Sequence, residues 1–128
     1  MKILSVSLHN IASIEGPFTL NLEADPLKSV GLFAITGATG AGKSTILDAI
    51  CLALYNDTPR LAATQSSVAI TDSGVEVKAN NVKHLLRKGA VSGYAKVVFQ
   101  AVDGKTYEAE WQVRRAYNKL SGAIQPET

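Results

Sequence analysis

Apolar and polar positions alternate at the start of the chain: Leu4, Val6 and Leu8 are separated by Ser5, Ser7 and His9, which predicts a strand over residues 2–9 with one packed face. Glu15-Gly16-Pro17 is a turn signal, and Phe18, Leu20 and Leu22 alternate with Thr19 and Asn21, so a second strand returning as a hairpin is expected. Ala24-Asp25-Pro26 breaks that pattern. Gly31-Leu32-Phe33-Ala34-Ile35-Thr36 is apolar without alternation, which predicts a strand buried on both faces, as in a parallel sheet. From Lys43 to Tyr55 the pattern becomes helical. It is apolar almost all round after its first turn, so an interior helix is expected, stopped by Asn56-Asp57-Thr58-Pro59.

Residues 57–80 are rich in Ser, Thr, Ala and Asp and predict a long, mobile loop. Asn81 to Lys88 is expected to be a short helix capped by Asn80 or Asn81 and stopped by Gly89. The last third gives the clearest β signal. A strand over Lys96–Val102, a two-residue type I′ turn at Asp103-Gly104 and a return strand over Lys105–Tyr117 are predicted. Tyr107, Ala109, Trp111 and Val113 take the packed face, and Glu108, Glu110, Gln112 and Arg114 the wet one. The tail from Asn118 to Thr128 shows no finished element.

At 128 residues and 46% hydrophobic composition the chain can bury one core, which excludes wholesale disorder. No run of 18 apolar residues suits a bilayer, and the first residues lack the apolar stretch of a secretion signal, so a cytoplasmic location is expected. The single cysteine, Cys51, excludes an internal disulfide and a Cys-rich zinc site. The net charge of +2 is too small to announce nucleic-acid binding. Its distribution changes the picture slightly: Lys83, Arg87, Lys88 and Lys96 cluster with no acid between them. A solvated basic face is the plainer reading, and contact with DNA phosphate the sharper one.

Gly37-Ala38-Thr39-Gly40-Ala41-Gly42-Lys43-Ser44 matches G-x-x-x-x-G-K-[ST] in full. Chance produces such a match in roughly one chain of this length in two hundred. The apolar run before it and the helix after it supply the context that the chemistry demands. Glycines let successive N–H groups turn inward around a phosphate, and the helix adds its positive dipole end. Lys43 is positioned for the β- and γ-phosphates, Ser44 for Mg²⁺, and Thr45 for a further phosphate hydrogen bond. A GTPase reading fails because Asn118-Lys119-Leu120-Ser121 lacks the base-reading aspartate. Hydrolytic carboxylates are missing too. Val68-Ala69-Ile70-Thr71-Asp72 is the nearest approach to an apolar strand ending in Asp-Glu, and Asp72 is better read as a loop aspartate. Beyond Lys43 no catalytic residue is visible. Cys51, His9 and His84 read as ordinary structural positions, and Trp111 as a core anchor.

Met1 to Asn10, Gly31 to Thr45, and the helix continuation Leu47-Asp48-Ala49-Ile50-Cys51-Leu52-Ala53-Leu54-Tyr55 together resemble the N-terminal segment of the SbcC family, within the SMC-like branch of ABC ATPases. Thr58-Pro59-Arg60-Leu61 and Leu85-Leu86-Arg87-Lys88-Gly89-Ala90 share the likeness, which fades only over residues 62–80. The resemblance implies an α/β P-loop NTPase fold, an ABC-ATPase head lobe with a mixed sheet around the P-loop helix and an antiparallel β subdomain. Residues 1–128 would be the N-terminal half of an ABC/SMC-type ATPase head, with the C-terminal half and a coiled coil lying elsewhere. ATP and Mg²⁺ are the implied cofactors, held by Gly37, Ala38, Thr39, Gly40, Ala41, Gly42, Lys43, Ser44 and Thr45, with Ser44 on the metal. The implied partners are the C-terminal segment, a second head in a homodimer, an SbcD-like nuclease and double-stranded DNA ends. An SMC, RecF or RecN type of DNA clamp without a nuclease is the alternative. The family's signature motif, Walker B pair and switch histidine would lie in the distant segment, so the isolated fragment is expected to be inactive. Relatives often carry Asn-Phe-Arg-Ser after the first strand, the arginine helping to hold nucleotide. Here the run is Asn10-Ile11-Ala12-Ser13, so that contact would fall to the Asn10–Ser13 backbone or to Arg60.

Overall fold

The computed structural model describes residues 1–62, 69–72, 75–78, 81–126 and 128. Strand β1 (Lys2–His9) runs through the middle of a four-stranded antiparallel sheet ordered β2-β1-β5-β6, with β2 (Phe18–Asn21), β5 (Ser92–Gln100) and β6 (Thr106–Arg114). The alternation along β1 is realised as expected: Leu4, Val6 and Leu8 are buried, and Ser7 faces Thr19 across the hairpin with the two hydroxyls 3.1 Å apart. On β5 the same face carries Gly93, Ala95 and Val97, and on β6 Trp111 and Val113. This is the packed-and-wet division read from the sequence except at Tyr107, which is 43% exposed and stacks on Phe99 at the open end of the sheet.

Helix α1 (Lys43–Tyr55) lies over β5, β6 and β1 and closes the core. Ala49 and Leu52 on the helix and Ala95 on β5 are fully or almost fully buried. Alanines on both layers suit a close helix–sheet approach, and truncating Leu52 there would cost about 2–5 kcal/mol. Trp111 anchors the far end, its indole N–H donating to Asn56 Oδ1 at 2.9 Å. Asn56 takes the left-handed conformation that ends the helix.

Several expectations are corrected. Gly31–Thr36 forms no strand: the stretch is coil with every residue exposed, Leu32 90% so. A strand covered on both faces needs a parallel neighbour, and every strand pair among the described residues is antiparallel. Helix α1 is buried on one face only, leaving Leu47 and Tyr55 open. The 57–80 region holds a short helix α2 (Pro59–Ala62) and a hairpin of β3 (Ala69–Asp72) and β4 (Val75–Lys78). Residues 63–68, 73–74 and 79–80, also part of the expected loop, lie outside the described residues. The helix expected at Asn81–Lys88 is a single 3-10 turn, Val82–Leu85, whose Asn81 cap accepts from the Lys83 N–H.

The hairpin between β5 and β6 is longer than a two-residue turn. Gly104 N–H donates to Ala101 O, Ala101 N–H donates to Lys105 O, and only Gly104 adopts positive φ. That is a three-residue loop with glycine at the left-handed position. The Asp103 carboxylate accepts from the Tyr107 hydroxyl and from Lys105 N–H, which holds its pKa below the usual range. The return strand stops at Arg114. The tail then doubles back along β6, where Gln112 and Thr128 exchange backbone hydrogen bonds.

Candidate functional site

The glycine-rich motif forms the loop that enters α1. Gly40 and Gly42 have φ of 82° and 98°, a region that side-chain-bearing residues avoid. Gly42 is also the helix N-cap, and a Cβ there would fall 2.9 Å from Ile14 Cδ1. The positive φ is what calls for glycine at this position; a Cβ would in addition press on the end of the Ile14 side chain. Ala41 N–H donates to Ala38 O and tightens the loop.

The N-terminus of α1 has no side-chain cap and no acidic residue in its first turn. Among the described residues, therefore, neither a cap side chain nor a first-turn carboxylate neutralises its N–H groups and positive dipole end, a setting that favours an anion. Beside it opens a cavity of about 420 Å³ lined by Ser13, Thr39, Gly40, Gly42, Lys43, Ser44, Thr45 and Arg60. The structure thus gathers most of the residues predicted from the motif. Gly37 and Ala38 play a different part: their carbonyls accept the Lys43 ammonium, Ala38 O at 2.8 Å. The lysine is folded back on its own loop, with its charge held at the cavity edge.

Ser44 is exposed, whereas Thr45 is 2% exposed with its hydroxyl 3.1 Å from Ser13 Oγ. The fit to Mg-nucleotide follows from this donor set: the Thr39 and Ser44 hydroxyls, one ammonium, one guanidinium and an uncapped helix end around an open cavity. Among the described residues no three His, Cys, Asp or Glu side chains converge. A Mg²⁺ ion here would rely on Ser44, phosphate oxygens and water, which is its habit at phosphate sites.

Two charged residues at the site escaped full reading from the sequence. Arg60, from α2, lines the cavity and places Nη2 2.7 Å from Asp48 Oδ2, a close ion pair without the N–H alignment of a hydrogen bond. Asp48 is buried on α1. Burial pushes its carboxyl above the usual range, and the Arg60 charge offsets part of that rise. Cys51 is likewise raised, by burial first and then by the charges of Asp48 and Asp57, so it is no reactive thiolate.

The fold sets Lys96 apart from the basic cluster, while Arg87 and Lys88 stay together at the rim of one surface cavity. Lys96 points to the wet face of the sheet, 3.3 Å from Glu108 and 3.8 Å from Glu110. The Arg87 guanidinium donates to the carbonyls of Ser13 at 2.9 Å and Ala12 at 3.3 Å. Neither is free for DNA in this arrangement. Asp72 ends β3; its side chain lies outside the described residues. Ala12 sits in the left-handed region with φ 44°.

A family model described as AAA domain matches residues 5–127. The chain is 50% identical over 125 residues to the SbcC component of the nuclease SbcCD from Pseudomonas aeruginosa, covering 98% of this chain and 10% of that protein. Over 126 residues it is 52% identical to the SbcC component from Rhodobacter capsulatus, with the same two coverages. A 62-residue stretch is 42% identical to the Bacillus subtilis counterpart, covering 48% of this chain and 5% of that protein. The chain therefore spans about a tenth of the length of the relatives it matches almost throughout.

Proposed function

The chain belongs to the AAA-domain family, and from that premise we propose that it is the N-terminal nucleotide-binding lobe of an SbcC-like ATPase that governs a DNA-end nuclease. The carrying observation is the phosphate loop, with Lys43 and the uncapped start of α1 facing one cavity. In this reading the loop amides and the Lys43 ammonium hold the β- and γ-phosphates of ATP, and Ser44 holds Mg²⁺. To do so Lys43 leaves the Gly37 and Ala38 carbonyls and turns outward. Thr45 and Ser13 buttress the loop, and Arg60 is the guanidinium nearest the phosphates. When bound, Mg²⁺ spreads the charge of the phosphate chain.

The rest of the head is proposed on the names of the relatives and on exposed apolar surface. Leu32, Phe33, Ile35 and Leu47 stand open beside the loop. A C-terminal segment supplying parallel strands would cover them and bring the water-activating carboxylate. Two such heads would close on ATP and control the access of double-stranded DNA ends to an SbcD-like nuclease. The names of the three relatives favour this nuclease-coupled reading over the clamp alternative. Among the described residues no helix is long and apolar enough to cross a membrane.

Replacing Lys43 with alanine tests the reading. ATP affinity of the full-length protein should fall about a hundredfold, the scale of one charged donor in a shielded site. Undiminished affinity in that variant would refute the nucleotide assignment.

A further inference from the structure

The turn Asn10–Ile14, between β1 and β2, joins two parts of the molecule that the sequence keeps far apart. Toward the phosphate loop, Ser13 lines the cavity and meets Thr45 Oγ1 at 3.1 Å, and Ile14 occupies the space that a Gly42 side chain would need. Away from the loop, the turn is bound to residues 85–87. Ala12 N–H donates to Leu85 O and Arg87 N–H donates to Asn10 O, both at 2.8 Å. The Arg87 guanidinium then spans the Ala12 and Ser13 carbonyls.

This support has a physical reason. Asn10 and Ala12 both have positive φ, 52° and 44°. For alanine that conformation is disfavoured by roughly 1–2 kcal/mol, and nothing in its side chain compensates. A charged donor on the carbonyls at and after the strained residue offsets that cost, since charge-assisted hydrogen bonds are the stronger kind. Arg87 itself does not line the cavity.

We propose that Arg87 is a positioning residue for nucleotide binding: it holds the left-handed turn that delivers Ser13 to Thr45 and to the phosphate cavity. The role rests on the nucleotide reading of that cavity.

The test is binding of a fluorescent ATP analogue with Mg²⁺ to the full-length protein, at a temperature where circular dichroism shows each variant folded. Arg87→Ala should weaken binding about tenfold, ~1.4 kcal/mol. Arg87→Lys, able to serve one carbonyl, should recover part of it. Ser13→Ala should weaken binding in the wild-type background and have no further effect beside Arg87→Ala, because the two act as one unit. Wild-type affinity in Arg87→Ala, or simple additivity of the two changes, would overturn the proposal. Should Arg87→Ala not fold, Arg87→Lys paired with Ser13→Ala carries the same comparison. Loss of binding in Lys43→Ala alongside normal binding in Arg87→Ala sinks only this inference. No binding by the wild type sinks the nucleotide reading and this role together.

Discussion

Removing Arg60 should expose how much of the site's order depends on one ion pair. Asp48 is 5% exposed and its Oδ2 faces Arg60 Nη2 at 2.7 Å. Breaking a fully buried pair from one side costs about 3–5 kcal/mol, because the other charge is left stranded. The Arg60 side chain is 44% exposed, so water already screens it and can partly replace it. The cost of Arg60→Ala at pH 7 should therefore be nearer ~1–2 kcal/mol. The pH dependence has a definite sign. Burial raises the Asp48 pKa above the usual 3.8 and Arg60 lowers it. Without Arg60 the folded-state pKa rises further, and the stability of the protonated form is lost as pH climbs through it. The variant should thus approach wild type under acid, where Asp48 is neutral in both, and fall behind as pH approaches 7. Asp48→Asn removes the charge and should abolish most of the Arg60→Ala cost. Urea unfolding followed by the fluorescence of Trp111, the lone tryptophan, at pH 4 and pH 7 measures all four proteins of the cycle. An Arg60→Ala cost equal at both pH values, or unchanged in the Asp48→Asn background, would refute the reasoning.

Gly93→Ala should lose about 1–3 kcal/mol in the same urea assay, because its Cβ would fall 2.8 Å from His9 O and 2.9 Å from Asn10 O, backbone atoms that cannot yield. Gly31→Ala, with nothing within 4 Å, should stay within ~0.5 kcal/mol of wild type. Phe33→Asp, at a residue 45% exposed, should leave the stability of the chain almost unchanged and reduce its self-association by light scattering. The same change should prevent capture of the proposed C-terminal segment, so retained capture would count against that assembly.

The elements legible in the sequence are those with a sustained period. Strands β1 and β6 are recoverable because each packs one face on the shared core, and burial writes itself into a spacing of 2; helix α1 is recoverable in extent, but its apolar positions run almost all round and hide that only one face is buried. Gly31–Thr36 has no period. An apolar run records that a segment is built to be covered, but not by what, and every described strand pair is antiparallel. The phosphate loop is legible residue by residue because its chemistry demands glycine, lysine and a hydroxyl at fixed offsets. Its supports are not. Arg87 and Lys96 look alike in sequence, yet one spans the Ser13 and Ala12 carbonyls and the other meets Glu108 and Glu110 across the sheet. Their separation depends on strand register and on a turn closed by residues roughly seventy positions away along the chain.

The exposed segment and the phosphate loop are also linked by continuity of the chain. Residues 31–36 run directly into Gly37, whose carbonyl accepts the Lys43 ammonium. Leu32 is 90% exposed but Phe33, Ile35 and Leu47 only 45%, 41% and 59%, so covering what remains open would contribute about 1.5–3 kcal/mol at Leu32 and roughly half that at each of the others. Together that reaches the lower end of the stability of a small domain. On the proposed assembly, a partner strand that covers this segment fixes the approach of the backbone into Gly37 and removes freedom that nucleotide binding would otherwise have to restrict. On that proposal, covering of the exposed apolar segment and occupancy of the phosphate cavity are coupled, and by linkage each favours the other. On the proposed assembly, the apolar run that forms no strand among the described residues would be the element through which joining of the head tightens the grip on phosphate.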